Sequence, residues 1–596
     1  MSWNIETNPV TQRPEVVING FENGIADSPY TGIADMRNIN VSTATKQANV
    51  AFANAAVTLP PTGYTTVAYT ADSGTDVFTT ATTAGFYTGM ALTIVTVSGA
   101  GGVTAGLTYY VGNITATTFK LYYAPDTGIL IDITLNISGT FTVPTFGTPS
   151  DAVSVSTTSA ISTTRKRYKD VYICTSDGLV WVLNNGLVDV TNGGTQDPNR
   201  LTCLGNIAHS TAGAPQTGIA VFNDYLLLFT QSKIDYININ LITGSNNPSA
   251  NWHYAWKTTT NNNQGHRALA ATDNALYFCN DTFIGSLIEI GTFDPTNAAT
   301  YTYNTAALAL PTFDQATCLA QLGTLLLVGG TMNYVYPWDR ISTSFSYPIV
   351  LAEEYIKCIV STNSSAYILA GSRGNIYITN GANVEIYKKF PDSLSGTVDP
   401  VYDWGWALYH KNQIFFSISS ATNSGTTISN FAGIWSLDLT TKVIRMSNSL
   451  SYGTYSGTVP VLTLMGNVRP TGDGIYSGWL NSTGGIDYTS GSPYINYEAR
   501  IDSDIIPVGT FLNKTSFTNL EYKLAKPLVS GEKVKLSQRS NLNDSFVEIG
   551  NTTTPGGVSD YYLTNFENME WIQIRAELSS TATTPSYVPL LEIRIR

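Results

Sequence analysis

Charge is scarce in this 596-residue chain: Asp, Glu, Lys and Arg together make up 12% of it, about half the ordinary globular share. Ser, Thr, Asn, Gly and Tyr take their place, giving a neutral polar skin with many β-favouring side chains. Basic residues are the scarcer sign, 31 against 43 acidic, for a net charge of −12 and a pI of about 4.8. That excludes the basic face of a sequence-reading nucleic-acid binder. It leaves room for an acidic wall that DNA slides past, since backbone affinity comes from Lys and Arg. Aromatics at 11% and apolar residues at 43% exclude a disordered chain, and the length allows roughly four domains.

Cysteine and histidine are also few. Cys174, Cys203, Cys279, Cys318 and Cys358 form no CxxC pair, so a disulfide framework is excluded. Several lie in apolar runs, where free thiols are usually buried, and folding in a reducing cytoplasm is expected. His209, His253, His266 and His410 stand apart from one another and from cysteine, so no zinc spacing exists. The chain has no GxSxG elbow and no GxxxxGK[ST] loop. Gly99-Ala100-Gly101-Gly102 reads as a flexible turn, with no following helix to hold a phosphate. No metal or cofactor is expected. No run of about 18 apolar residues offers a membrane-spanning helix. The opening MSWNIETNPVTQRPEVV lacks the basic and apolar regions of a secretory signal. Helical periodicity is nearly absent, and the best helix candidate is the short Ile33–Arg37 stretch.

What the chain has instead is short apolar runs separated by Gly, Asn, Asp, Ser and Thr, the pattern of an all-β protein. Some of these runs repeat. YICTSDGLVWVLNNG (172–186), YFCNDTFIGSLIEIG (277–291) and YILAGSRGNIYITNG (367–381) share a run-turn-run form. Looser copies start at Tyr225 and Leu325, and another pairs QIFFSISS (413–420) with GIWSLDL (433–439). A short apolar strand precedes each copy. The residue opening the middle strand falls at Tyr172, Tyr225, Tyr277, Leu326, Tyr367 and Phe415, at spacings of 53, 52, 49, 41 and 48. Periods of about 40–50 residues with four short strands per unit are propeller blades. VLTLM and IYSGWL, near Pro460–Trp479, suggest a further blade. The chain therefore reads as an all-β protein with a β-propeller of six or seven blades over 149–480. A long β-sandwich with chance spacing is the other reading.

The flanks differ. Residues 64–148, poor in charge and rich in Thr and Gly, read as a small inserted β-domain. The arm and linking strands at 1–63 have no core of their own and are expected to pack on the body of this chain or on a neighbour. Residues 481–596 alternate apolar and charged side chains with period two and read as a C-terminal β-sandwich, ending in a strand at LLEIRIR (590–596). The positive charge of this last unit falls on one face, which is either solvated or a subunit interface.

Residues that could carry chemistry are few. Glycoside hydrolysis needs two carboxylates across a cleft; Asp177, Glu289, Asp314, Glu353 and Glu354 are candidates, and no motif selects a pair. Ser176-Asp177-Gly178 lacks the spacers of an Asp box and reads as a type I′ hairpin turn. Trp252, Tyr254 and Trp256 in NWHYAW would suit sugar stacking or core packing. Arg165, Lys166, Arg167 and Lys169 form the one basic cluster, a contact for nucleic acid or a neighbouring subunit if it is more than a solvated loop. The chain is not expected to be an enzyme.

Taken together, GFENGIADSPYTGIADMRNINV (20–41), the repeated hairpins and LEYKLAKPLVSGEKVKLSQRS (520–540) resemble the tail nozzle and hub proteins of short-tailed bacteriophages, which include the packaged DNA stabilization proteins. GLTYYVGNITATTFKLYY (106–123) is similar to small β-modules of phage virion proteins. The resemblance lies in architecture and texture across most of the chain, and the inserted module departs from the simplest nozzle plan. It implies a structural virion protein, made in the host cytoplasm and built into the phage tail as a homo-oligomeric ring, commonly a hexamer. Such a ring extends the DNA channel below the portal and adaptor, contacts tail fibre proteins, retains the packaged genome and conducts it at ejection. It implies no catalytic site and no cofactor. Two alternatives belong to other classes: a tail-tip receptor-binding protein recognising a host surface glycan, and a propeller glycosidase.

Overall fold

The computed structural model describes residues 59–156, 169–183, 201–206, 216–389, 399–448, 461–489, 499–580 and 590–596, with short internal gaps, and six strands before residue 57. Strands dominate, and no α-helix occurs among the described residues. Ile33–Arg37 is itself a strand, antiparallel to Ala499–Ser503 and touching Ile444–Asn448 in parallel. The helix expectation fails because five residues give too few internal hydrogen bonds to offset helix nucleation, whereas two sheet edges here offer partners on both sides.

Among the described residues, six four-stranded antiparallel units follow one another at 149–206, 216–258, 268–309, 316–350, 356–389 and 399–448, and a seventh at 461–489 supplies three strands and takes its fourth from elsewhere. In units 1 to 5 the strands pair in sequence order. The first strand of each unit packs against the first strand of the next, and the seventh returns to the first. These units are the blades of a closed propeller. Tyr172, Tyr225, Tyr277, Leu326, Tyr367 and Phe415 all lie in the second strand of blades 1 to 6. Tyr172, Tyr277 and Tyr367 stand three residues before the end of that strand, Leu326 four and Tyr225 five, so the repeat marks the second strand of each blade and not one side-chain position. The last blade runs to Thr489, and its fourth strand is Asn54–Ala56, paired with Asp487, Tyr488 and Thr489. The ring is closed by chain from before the inserted domain.

Each inner strand has to bend where it reaches the axis. In blades 1, 2, 4 and 5 one extra residue stands in its first turnings, at Ser150, Thr217, Thr317 and Lys357. A bulge of this kind kinks the strand and raises its twist. Thr317 turns the bulge into a link between blades: its hydroxyl donates to the Ile356 carbonyl of blade 5 at 2.6 Å.

Residues 67–142 close into a six-stranded barrel around Phe78, Phe119 and Phe141. The barrel is docked on blade 1 and, through Asn247, on blade 2. Ala91, Tyr110 and Tyr122 share a core with Trp181, Leu183 and Cys203. Tyr87 donates to the Leu201 carbonyl, Thr202 to Gly89 O at 3.0 Å, and Asn247 to Thr108 O at 2.9 Å. Gly102 (φ +102°) lets the 99–102 turn lie against the chain opposite, since a Cβ there would sit 2.2 Å from the Asp132 carbonyl oxygen.

The C-terminal unit is a sandwich of two sheets. One has the order Trp3–Thr7, Pro14–Ile18, Leu590–Ile595, Thr515–Leu524, Ser559–Met569. The other continues from the outer strand of blade 6 through Ile33–Arg37, Ala499–Ser503, Trp571–Ser580 and Glu532–Arg539 to Val547–Thr552. Val534, Leu536, Ile572, Ile574, Ile593 and Ile595 fill the space between the sheets and share one core with Trp435 of blade 6 and Leu369 of blade 5. The N-terminal strands therefore belong to this chain's own body, five of them in the two sheets of the sandwich and one completing blade 7.

Candidate functional site

The sequence candidates scatter when placed on this frame. Arg165, Lys166 and Arg167 lie outside the described residues. Lys169 opens the second strand of blade 1, opposite Ser156. Asp177, Glu289, Asp314 and Glu353 stand in, or at the entry to, four different blades. Asp177 accepts from the Thr175 hydroxyl; Glu289 accepts from the Phe293 amide at 3.0 Å and from Asn223 at 3.3 Å. Asp314 and Glu353 are buried, each receiving a tyrosine hydroxyl from the third strand of its blade, Tyr336 at 2.7 Å and Tyr377 at 3.1 Å. Glu354 is exposed.

The Asp177 turn is not type I′. Gly178 donates to the Thr175 carbonyl at 3.0 Å, and Gly178, at φ +92°, is the turn's one residue with positive φ. A type I turn followed by a left-handed glycine gives this geometry, and the Thr175–Asp177 hydrogen bond holds it.

In NWHYAW the two tryptophans are engaged. Trp252 is buried and its indole donates to Leu204 O at 3.4 Å. Trp256 donates to Pro295 O at 2.9 Å, meets Tyr236 and Tyr301 edge-on at 5.4 Å, and carries the Lys257 ammonium 5.1 Å from its ring centre. Asp235 sets this up by accepting the Ala255 amide at 2.6 Å, which fixes Ala255 at φ +53° and throws the strand into a wide bulge. Tyr254 is the member left on the surface.

The cysteines are free and buried, and burial pushes the Cys203 and Cys318 thiols up to about 12. Among the described residues no three of His, Cys, Asp and Glu gather as metal ligands, and no helix is long and apolar enough to cross a membrane.

One charged group sits where no motif pointed. Arg267, at the mouth of the blade 3 inner strand, reaches past blade 2 to blade 1. Its guanidinium donates to Ser150 O at 3.1 Å and lies 4.0 Å from the Asp151 carboxylate. It joins the starts of inner strands that pack on one another around the propeller axis. Asp151 also accepts the Ile219 amide of blade 2 at 2.9 Å, so three blades are tied at one point. Burial pushes the Asp151 carboxyl up to about 6, against the pull of Arg267 and two amides. Beside it, buried His266 faces the Thr260 carbonyl oxygen at 2.8 Å through Nε2. The carbonyl can only accept, so Nε2 carries the proton.

Burial holds His266 down to about 4. A histidine with a lowered folded pKa contributes stability that is complete above its unfolded value near 6.5 and is lost as pH falls through about 4. Asp151 has the opposite sign: its contribution is complete below about 3.8 and lost as pH rises through about 6. Replacing His266→Gln is expected to flatten the acid limb of the stability profile between pH 6.5 and 4, by about 3 kcal/mol at full effect. Chemical unfolding at a series of pH values checks this, and an unchanged acid limb would refute it.

No protein-family model and no curated protein matches the chain. Solved structures similar to it include the β-propeller domain of Cps50 (Swd1) from Myceliophteria thermophila, with 11% identity and a TM-score of 0.37, covering 58% of this chain and 98% of that one. The WD40 domain of Neurospora crassa Pan2 has 11% identity and a TM-score of 0.36, covering 58% and 90%. The computationally designed Ika8 protein has 10% identity and a TM-score of 0.33, covering 57% and 96%. The propeller assignment rests on the sheet order and the closed circuit of inner strands.

Proposed function

We infer that this chain is a structural subunit of a phage tail, assembling into a ring below the portal and adaptor through which packaged DNA is retained and released. The observation that carries the assembly part of this reading is the loop between the third and fourth strands of blade 4. Ile341 and Tyr347 are 90% and 95% exposed there, yet the loop that bears them is fixed. Asp339 accepts the amides of Ile341 at 2.9 Å and Ser342 at 2.7 Å, and the Ser342 hydroxyl at 2.6 Å. Trp338 donates to Ser342 O at 2.7 Å, and Ser346 to Pro337 O at 2.8 Å. Large apolar side chains held out on a pre-ordered loop suit a protein contact, because little ordering entropy remains to be lost on association.

The resemblance in the sequence supplies the phage context, and the acidic, charge-poor surface suits passage of DNA without capture. The Arg267 link beside the propeller axis favours a conduit between copies of the chain over one through each propeller. Ring assembly would bury Ile341 and Tyr347, worth about 2 kcal/mol each. Ile341→Asp with Tyr347→Asp is therefore expected to weaken each contact about 10³-fold while leaving the fold intact. Mass photometry of both proteins tests this: a closed oligomer reduced to monomer supports the reading, and a wild-type chain that stays monomeric at all concentrations and with portal and adaptor present overturns it.

A further inference from the structure

The ring reading gives the inserted barrel no task. Its outer wall holds a cavity of about 400 Å³ lined by Thr70, Asp72, Thr79, Ser98, Asn136 and Ser138, with Val77 beside them. Three features make this more than a polar dent. Thr79 faces Thr70 across one strand pair and Thr70 faces Ser138 across the next. Ser138 and Ser98 then meet oxygen to oxygen at 3.1 Å. Four hydroxyls therefore stand in one row, about 5 Å apart where strands separate them.

At the end of the row, two side chains are locked by the turn that follows the first barrel strand. Asp72 uses one carboxylate oxygen to accept the Gly74 amide at 2.9 Å and the Thr75 hydroxyl at 3.0 Å. Asn136 uses its carbonyl oxygen to accept the Ser73 amide at 2.8 Å. Both residues line the cavity, with the second Asp72 oxygen left as an acceptor and the Asn136 NH₂ as a donor. The lining contains no Lys or Arg.

We propose that this cavity binds a neutral saccharide. A sugar hydroxyl both donates and accepts, so adjacent hydroxyls of one ring can donate to Asp72 and accept from Asn136 while others meet the Thr and Ser row. Val77, in the lining, offers an apolar edge for ring C–H groups. The volume suits one or two sugar units. An anionic ligand would meet the Asp72 charge with no cation to offset it, a built-in element against acidic sugars. Each site alone is expected to bind weakly, on the order of mM, and copies in one particle would add avidity.

The test uses the full chain. Saturation-transfer NMR with glucose, galactose, mannose and N-acetylglucosamine, each also as a disaccharide, is compared with sialic acid and glucose 6-phosphate. The expected result is transfer to at least one neutral sugar and none to the acidic ones. Thr70→Val with Ser138→Ala removes two hydroxyls at nearly constant volume on an exposed face. The pair is expected to weaken binding about tenfold with unchanged thermal unfolding and unchanged oligomeric mass. No transfer from any neutral sugar, equal transfer from acidic ones, or full binding by the double variant would overturn the proposal. Oligomeric mass is read separately, so failure here leaves the ring reading standing, and the reverse holds too.

Discussion

Asp314→Ala is expected to destabilise the propeller by about 3–5 kcal/mol, the penalty of stranding the partners of a buried charge. The carboxylate is fully buried and satisfied on both oxygens. One accepts the Gln315 amide at 2.9 Å, the Thr331 hydroxyl at 2.9 Å and the Met332 amide at 3.0 Å. The other accepts the Tyr336 hydroxyl at 2.7 Å, and burial with the adjoining carboxylate pushes that phenol up. One side chain thus fastens the turn entering blade 4 to the turn between its second and third strands and to the third strand itself. Alanine removes the acceptor and leaves four donors facing a cavity. Asparagine keeps one oxygen but turns an NH₂ toward donors, so Asp314→Asn should fall between. Tyr336→Phe removes one charge-assisted hydrogen bond and should cost about 1.5–3 kcal/mol. Denaturant titration with far-UV and tryptophan signals measures all three, and an alanine variant within about 1 kcal/mol of the parent would refute this account of the turn. Blade 5 repeats the device with Glu353, Tyr377 and a close glycine: a Cβ on Gly371 would sit 2.6 Å from the Glu353 side chain, as one on Gly330 would sit 2.2 Å from Asp314.

The second large effect comes from removing residues 1–58. Asn54–Ala56 is the fourth strand of blade 7, Pro14–Ile18 pairs with the C-terminal strand, and Ile33–Arg37 lies between blade 6 and Ala499–Ser503. Truncation would open sheet edges on the propeller and on both layers of the sandwich at once. Unpaired edges template aggregation. A chain starting at residue 59 is therefore expected to be insoluble or aggregated, with co-expressed 1–58 partly restoring soluble protein. Soluble yield and size-exclusion profile decide it. A monodisperse truncated chain with an unchanged unfolding transition would contradict the closure described above.

The parts of the fold legible in the sequence are those made by local pairing. YICTSDGLVWVLNNG and YILAGSRGNIYITNG carry second-strand and third-strand residues of blades 1 and 5, and everything that defines them lies within fifteen residues. Closure of the ring is different. A three-residue strand at 54–56 has no periodic signature, and its partner at Asp487–Thr489 lies on the far side of the barrel and six blades. The same distance hid Ile33–Arg37, whose conformation is set by the edges it fills. Among the charged residues, spacing could not distinguish a carboxylate facing a cleft from one buried in its own turn, so Asp314 and Glu353 read as candidate acids. Arg267 and Asp151 carry no sequence signal of their own, because a single Arg beside a His and an Asp after Pro-Ser match no motif. Their position at the start of inner strands is the signal that could have marked them, once the blades were counted.

The proposed role as a repeated structural part of a tail depends on contacts between copies of this chain. Electron cryo-microscopy of intact particles carrying a tagged copy tests it most directly, because one image gives copy number and position together. A closed ring of copies, a hexamer by the resemblance, coaxial with the portal and adaptor, is the expected result. Particles without the chain, or with it as separate copies off the tail axis, would contradict it.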